Sequence, residues 1–121
     1  TMKKALVIED NPDVLDVLSR QLEMLGFAVI TANNGVDGVE KAIGEKPDLI
    51  LMDIMMPGMD GREATRRIRS NPMSKDIPIL ATTVLFRESE LNQCIEAGCN
   101  DYIVKPFTFE ELREKIQEIF R

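Results

Sequence analysis

The stretch DLILMDIMMPGMDG, residues 48–61, contains the pattern that decides the fold. Its residues 49–52 are continuously apolar, as is typical of a strand that is buried on both faces of a parallel sheet. The apolar run ends at Asp53, and Pro57 and Gly58 favour an irregular loop after it. We therefore expect a central strand whose carboxyl end presents Asp53 at the start of a loop.

Four more short apolar runs predict further strands. They lie at residues 5–8, 27–32, 77–81 and 102–104. Apolar residues at helical spacing follow each run, and the predicted starts of four helices are Asn11, Asn34, Asp60 and Thr108. The helix that starts at Asp60 is expected to continue to Pro72, and another is expected to end at Gly98. Strands that alternate with helices predict an α/β fold, a doubly wound five-stranded parallel sheet with helices on both sides.

The composition of the chain excludes several kinds of catalytic and metal site. The chain has 121 residues, a length that suits one domain, and it contains no histidine. It therefore cannot supply the histidine of a Ser-His-Asp site or of a zinc site. A net charge of −6 argues against a basic nucleic-acid footprint. Cys94 and Cys99 match no metal-site spacing, so we expect small apolar side chains in a reducing cytoplasm. No apolar run reaches the length of a membrane span.

Polar residues follow four of the five predicted strands. They are Glu9 and Asp10 after the first strand, Asp53 after the third, Thr82 and Thr83 after the fourth, and Lys105 after the fifth. Any one of them alone is most simply a turn or capping residue. Because the carboxyl ends of parallel strands lie at one edge of the sheet, however, we expect these side chains to meet there.

The predicted group of side chains suits phosphoryl chemistry. Three carboxylates brought close together repel one another unless a cation lies among them, and oxygen ligands favour Mg²⁺. A lysine and a hydroxyl beside such a cation can bind the oxygens of a phosphoryl group. A carboxylate can itself accept the phosphoryl group, and Asp53, at the end of the most apolar strand, is the best candidate.

Four stretches together match a family. They are VIEDN (residues 7–11), DLILMDIMMPGMDG (48–61), IPILATT (77–83) and GCNDYIVKPF (98–107). In this order they resemble the receiver domain of bacterial two-component response regulators, over essentially the full chain. The resemblance implies one receiver domain over residues 1–121. Thr1 stands ahead of Met2, so we expect it to be an addition from cloning. It also implies a flavodoxin-like (βα)5 fold with strand order 2-1-3-4-5.

The resemblance further implies a phosphorylation-dependent switch. Asp53 would be the phosphoacceptor, and the donor would be a phosphohistidine of a histidine kinase or of a histidine phosphotransfer protein. The protein ligands of Mg²⁺ would be Glu9, Asp10, Asp53 and the backbone carbonyl of Met55. Of the acidic pair, Asp10 would be the direct ligand. The chain would catalyse its own phosphorylation and slow dephosphorylation at Asp53, and would not be a turnover enzyme.

Other residues would read out the modification. By the same resemblance, Lys105 would pair with the phosphoryl oxygens, and its peptide bond to Pro106 would be cis. Thr83 would move onto the phosphoryl group, and Tyr102 would change rotamer with it. The output would reach an effector domain or a downstream protein, and a homodimer formed on phosphorylation is compatible with it. Nucleic acid and membrane would not be direct partners.

Two positions depart from the usual pattern of the family. Thr82 stands where an apolar residue is more usual, so the switch role is assigned to Thr83 by counting from Pro78. Val84 stands where a small residue is usual, and we expect its branched side chain to crowd Tyr102. Met55 and Leu85, which follow the acceptor and the switch hydroxyl, occupy positions that influence how fast the phosphoryl group is lost. Apolar side chains cannot hold a hydrolytic water by hydrogen bonding, so we hypothesise slow autodephosphorylation.

The residues argue against three other functions. A haloacid-dehalogenase-like phosphohydrolase also uses an Asp nucleophile after a parallel strand, but it needs a second acid where this chain has Met55. A flavodoxin-like FMN carrier needs a phosphate-binding loop after the first strand, where residues 9–12 read EDNP. Nucleotide binding is disfavoured because the chain has no GxxxxGK[ST] or GxGxxG motif.

Overall fold

The structure is a computed structural model, and it describes residues 2–85 and 87–121. The expectation about Thr1 therefore lies outside the described residues. Strands and helices alternate along the chain: β1 (Lys4–Ile8), α1 (Pro12–Met24), β2 (Ala28–Ala32), α2 (Gly35–Glu45), β3 (Leu49–Asp53), α3 (Gly61–Ser70), β4 (Ile79–Thr83), α4 (Glu88–Ala97), β5 (Asp101–Val104) and α5 (Phe109–Ile119).

The strands form one sheet in the order β2-β1-β3-β4-β5, and all neighbouring pairs are parallel. The predicted doubly wound parallel sheet and its strand order are thus confirmed. β3 lies at the centre between β1 and β4, and every residue of β3 is buried. Its position explains the continuous apolar run at residues 49–52, since both of its faces are covered by helices.

Helices cover the two faces of the sheet unequally. One face packs against α1 and α5 through fully buried Leu22 and Leu112. The other packs against α2, α3 and α4 through fully buried Ala42, Ile68 and Cys94. We call these the α1/α5 face and the α2–α4 face. The two layers fix the carboxyl edge of the sheet, and the ends of β1, β3, β4 and β5 meet there.

Helix caps lie where the sequence placed them. The side chain of Asn11 accepts hydrogen bonds from the amides of Asp13 and Val14. Asn34 and Asp60 cap α2 and α3 in the same way. α4 is followed by Gly98 in the left-handed conformation, and Thr108 begins α5 with a capping box.

Two predicted boundaries are wrong. β4 spans Ile79–Thr83, not residues 77–81. Pro78 has no amide to donate to a neighbouring strand, so the strand starts only after it. α3 ends at Ser70 and not at Pro72, because Asn71 is extended, as is usual for a residue that precedes proline. The shift in β4 makes Thr82 and Thr83 part of the strand.

The cysteines and the helices bear on two further expectations. Cys94 and Cys99 are buried free thiols, as expected. Burial raises the pKa of the Cys99 thiol to about 11, so it stays protonated and behaves as an apolar group. Among the described residues, no helix combines the length and the apolarity needed to cross a membrane.

Candidate functional site

An acidic cluster with one lysine lies at the carboxyl edge of the sheet. Glu9 and Asp10 follow β1, and Asp53 is the last residue of β3. Carboxylate oxygens of these three residues lie within 4.8 Å of one another. Lys105, which follows β5, places its Nζ atom 3.0 Å from Glu9 Oε1 and 3.2 Å from Asp53 Oδ1. The structure thus brings together the four charged residues that were predicted to meet at this edge.

Asp53 is held in place from its own strand and from the loop after it. Its side chain is only 4% exposed. The amide of the next residue, Ile54, donates to the carbonyl oxygen of Thr82 at 3.1 Å, which extends the pairing with β4. The Met55 amide lies 3.3 Å from Asp53 Oδ1 and donates to it. These contacts aim one carboxylate oxygen at Lys105 and the loop.

The charges of the cluster shift the proton affinities of its members. Burial raises the pKa of Asp53 from 3.8 to about 7; the positive charge of Lys105 opposes this rise, and the negative charge of Glu9 adds to it. Burial lowers the pKa of Lys105, but its hydrogen bond to Glu9 and the charge of Asp53 outweigh burial and raise it above 10.5. One ammonium therefore faces two buried carboxylates, so the cluster contains more carboxylates than ammonium groups.

The members of the acidic pair have different surroundings. Glu9 is 2% exposed, and its two oxygens accept hydrogen bonds from Lys105 and from the Asn11 amide. Asp10 is exposed and lies at the mouth of the cluster. The Asp10 carboxylate is therefore the more accessible of the pair, as its expected role as a direct metal ligand requires.

The donor set fits Mg²⁺. It consists of oxygen atoms alone, and the three carboxylates converge on one point from the ends of two adjacent strands. Hard divalent cations prefer such ligands, and Mg²⁺ is commonly held by one or two carboxylates together with water and phosphate oxygens. Glu9, Asp10 and Asp53 are therefore the residues that would hold the ion.

Thr83 and Tyr102 share one face of the sheet near this cluster. Thr83 ends β4, and its buried hydroxyl accepts a hydrogen bond from the Leu85 amide at 3.0 Å. Its carbonyl accepts from the Lys105 amide at 2.7 Å, which ties the ends of β4 and β5 together. Tyr102 is half-buried against the α2–α4 face and pairs in register with Ala81. Thr83 lies two residues beyond Ala81, on the same face.

Val84 does not crowd Tyr102, so that expectation is wrong. Side chains alternate along a strand. Leu80 packs on the α1/α5 face, and Ala81 packs on the α2–α4 face together with Tyr102. Val84 falls on the α1/α5 side, where it is 55% exposed and lines a groove. The branched side chain therefore lies on the opposite side of the sheet from Tyr102.

The groove beside Val84 is open, mainly apolar and continuous with the acidic cluster. It has a volume of about 510 Å³. Its walls are Asp13, Val14, Val17, Leu18 and Gln21 of α1, Val84, and Lys105, Pro106 and Phe107 between β5 and α5. The Lys105–Pro106 peptide bond is cis, as expected. Because Lys105 belongs both to the groove and to the cluster, a partner that occupies the groove lies next to Asp53.

Two contacts that support the site were not predicted from the sequence. The hydrogen bond that the Asn11 amide donates to the Glu9 carboxylate depends on the local turn, and no residue type indicates it. The approach of Gly61 to the backbone of Asp53 depends on how α3 meets β3. Gly61 belongs to the stretch of residues 48–61, but only the fold shows that it lies against the backbone of Asp53 and Ile54.

Comparison with known proteins places this geometry in a family. The family model described as the response regulator receiver domain matches residues 5–117. The DNA-binding dual master transcriptional regulator RpaA of Synechocystis is 36% identical over 120 residues, which cover 99% of this chain and 50% of RpaA. The alkaline phosphatase synthesis transcriptional regulatory protein PhoP of Bacillus subtilis is 37% identical over 98% of this chain and 49% of PhoP. The chain therefore spans about half the length of these curated relatives.

Solved structures agree with the sequence relatives. The receiver domain of the sensor histidine kinase PA1611 from Pseudomonas aeruginosa, which has a magnesium ion coordinated in its active-site cleft, superposes with a TM-score of 0.91 at 35% identity and full coverage of both chains. The chemotaxis protein CheY4 of Vibrio cholerae gives a TM-score of 0.93 at 29% identity, over 98% of this chain and 99% of that one. Fold, acidic cluster and relatives therefore lead to one conclusion: the chain belongs to the response regulator receiver domains, the phosphorylation switches of two-component signalling.

Proposed function

We propose that Asp53 is the phosphoacceptor of this receiver domain. The observation that carries the proposal is the buried Asp53 carboxylate, 3.2 Å from Lys105 Nζ and within one cluster with Glu9 and Asp10. The donor is a phosphohistidine of a histidine kinase or of a histidine phosphotransfer protein. The histidine that this chemistry needs lies on the partner, since this chain has none.

The transfer is a substitution at phosphorus. An Oδ atom of Asp53 attacks, the bond between phosphorus and the donor imidazole nitrogen breaks, and a bond between phosphorus and Asp53 forms. The released imidazole can take up a proton from solvent. Glu9, Asp10, Asp53 and the Met55 carbonyl would hold Mg²⁺, and the ion would supply positive charge for the phosphoryl oxygens. The ammonium of Lys105 supplies a second positive charge from the protein itself.

The switch then passes from Asp53 to the face that carries Tyr102. The Thr83 hydroxyl, held in the apo state by the Leu85 amide, can donate to a phosphoryl oxygen once one is present. Thr83 and Tyr102 lie on the same face of neighbouring strands, so movement of the hydroxyl frees space for the ring. Phosphorylation thereby shifts an existing equilibrium between conformers.

The groove supports docking of a helical partner. Its exposed Val17 and Val84 offer an apolar surface next to Lys105, the size of which suits side chains from one helix. A partner that presents its phosphohistidine from such a helix brings the phosphorus to the mouth of the acidic cluster. The surface that changes on phosphorylation lies on the opposite face of the sheet, around Tyr102. An effector domain, a downstream protein or a second copy of the chain would bind there.

The test is phosphorylation by a small donor. We expect purified protein incubated with Mg²⁺ and acetyl phosphate to gain one phosphoryl group by intact mass, and to gain none when EDTA is present. Asp53→Asn should abolish the gain. Asp48→Asn, a matched change of an exposed aspartate that precedes β3, should leave it intact. Steady turnover of p-nitrophenyl phosphate would instead support the phosphohydrolase alternative, which the family match does not favour.

A further inference from the structure

The first residue of α3 lies directly against the backbone of the proposed acceptor. A Cβ atom at Gly61 would overlap the carbonyl oxygen of Asp53, and it would lie 2.7 Å from the Cα atom of Ile54 and 3.0 Å from the Asp53 carbonyl carbon. These neighbours are backbone atoms, which cannot rotate away as the tip of a side chain can. Any side chain at position 61 therefore requires either β3 or α3 to move.

Both sides of this contact are fixed. On the β3 side, Ile54 is fully buried, and its amide donates to the Thr82 carbonyl of β4. On the α3 side, the Gly61 amide donates to the Ile54 carbonyl at 2.9 Å, and the buried Thr65 hydroxyl donates to the Gly61 carbonyl at 2.7 Å. Neighbouring Ala64 is fully buried as well. A methyl group at position 61 thus opens the junction at which the acceptor strand ends.

A second glycine closes on the same loop from α2. A Cβ atom at Gly35 would lie 2.8 Å from the carbonyl oxygen of Met59 and 3.1 Å from its Cβ atom. The loop of residues 54–60, which contains Met55, is therefore held between Gly61 at one end and Gly35 along its length. We call this pair of close approaches the glycine clamp.

We propose that the glycine clamp positions the carboxylate of Asp53 and the loop that follows it, with Gly61 as its main positioning residue. This inference rests on the proposed role of Asp53 in binding Mg²⁺ and accepting a phosphoryl group. The Asp53 carboxylate is held by Lys105 and by the Met55 amide, and both hydrogen bonds depend on where the backbone of residues 53–55 lies. The clamp fixes that backbone without touching the ion or the phosphoryl group.

The test measures Mg²⁺ affinity and stability separately. Calorimetric titration with MgCl₂ alone gives the Kd, and thermal unfolding in EDTA gives the stability. We expect Gly61→Ala to weaken Mg²⁺ binding about tenfold or more, the effect typical of residues that support metal ligands. The matched control is Gly98→Ala, at the opposite end of the sheet, where φ is +119° and a methyl group would meet Arg69. It should lower the melting temperature and leave the Kd unchanged.

Two further variants complete the design. Gly44→Ala, in α2 with nothing near its added methyl group, should change neither quantity. Gly35→Ala should weaken Mg²⁺ binding from the other side of the loop, and it decides the question if Gly61→Ala does not fold. A Kd that stays at the wild-type value in Gly61→Ala or, failing that, in Gly35→Ala would overturn the clamp while the proposed function stands. Failure of the wild type to bind Mg²⁺ would overturn both.

Discussion

The ammonium of Lys105 lies 3.2 Å from the carboxylate of Asp53, although the two residues are 52 positions apart in the chain. The same ammonium also binds the buried Glu9, so one positive charge is paired with two carboxylates. This imbalance is the electrostatic basis of the site, because it leaves a place for added positive charge beside Asp53. It also makes the proton affinity of Asp53 depend on folding.

Stability in the absence of Mg²⁺ should fall as Asp53 ionises. Its pKa is 3.8 in the unfolded chain and about 7 in the folded one, because burial penalises the charged form. Between these values the folded state binds more protons, so the contribution of Asp53 to the free energy of unfolding is greatest below about pH 4 and is lost as the pH rises through about 7.

Urea denaturation in EDTA at a series of pH values measures this contribution by comparison with Asp53→Asn, which cannot titrate at this position. We expect the wild type to lose stability relative to the variant between about pH 4 and pH 7. A difference in free energy that stays constant over this range would show that burial does not raise the pKa of Asp53.

Tyr102 should report phosphorylation by fluorescence. It is the single tyrosine of a chain that has no tryptophan, so tyrosine emission comes from this ring alone. We expect phosphorylation to change the emission of the wild type and to change that of Thr83→Ala by less than half as much, although Thr83→Ala still accepts the phosphoryl group. Thr82→Val is the control. Thr82 is the strand neighbour of Asp53, but side chains alternate along β4, so it lies on the face of the sheet opposite to Thr83 and Tyr102. An unaltered response in Thr83→Ala would contradict the switch.

The aspartyl phosphate should be long-lived. Met55 is 52% exposed beside the acceptor and has no polar atom that can orient a water for attack. We expect the phosphoryl group to persist for minutes or longer, and Met55→Asn to shorten its lifetime severalfold. Met73→Asn changes a methionine of similar exposure, 51%, far from the site and should have no effect. Loss of phosphate is followed by intact mass, and a wild-type lifetime of seconds would refute the hypothesis.

The groove should affect the rate of phosphoryl transfer from protein donors and not from small donors. Val17→Asp places a charge in the apolar wall of the groove, so we expect phosphoryl transfer from a purified phosphorylated histidine phosphotransfer protein to slow about tenfold or more. Transfer from acetyl phosphate should not change, since a small donor does not occupy the groove. Val36→Asp, at an equally exposed valine of α2, is the control. Equal slowing with both donors would show damage to the site and not to docking.

The sequence predicted the fold and the charged residues because both follow from local patterns. Continuous apolar runs identify strands buried on both faces, and the rule that parallel strands end at one edge places Asp53 and Lys105 together. The family resemblance added the order of the strands and the choice of Thr83 over Thr82. The alternation of side chains along β4 supports that choice, since Thr83 shares its face with Tyr102.

Other features required the three-dimensional structure. The end of β4 depends on pairing with β3, so the apolar run predicted a strand that ends at Ala81 and placed Thr82 and Thr83 after it, although both belong to the strand. The side on which Val84 lies depends on that same boundary. The clamp at Gly61 depends on the angle at which α3 leaves the sheet, and no pattern in the sequence encodes that angle. Packing between distant segments decides all three.

The central claim is that Asp53 carries the phosphoryl group, and the most direct measurement is chemical trapping of the acyl phosphate. Protein treated with Mg²⁺ and acetyl phosphate is reduced with borohydride, which converts an aspartyl phosphate to homoserine, and the peptides are then sequenced by mass spectrometry. We predict homoserine at position 53 and at no other aspartate. Homoserine at another position, or none at all in protein that has gained a phosphoryl group, would contradict the account.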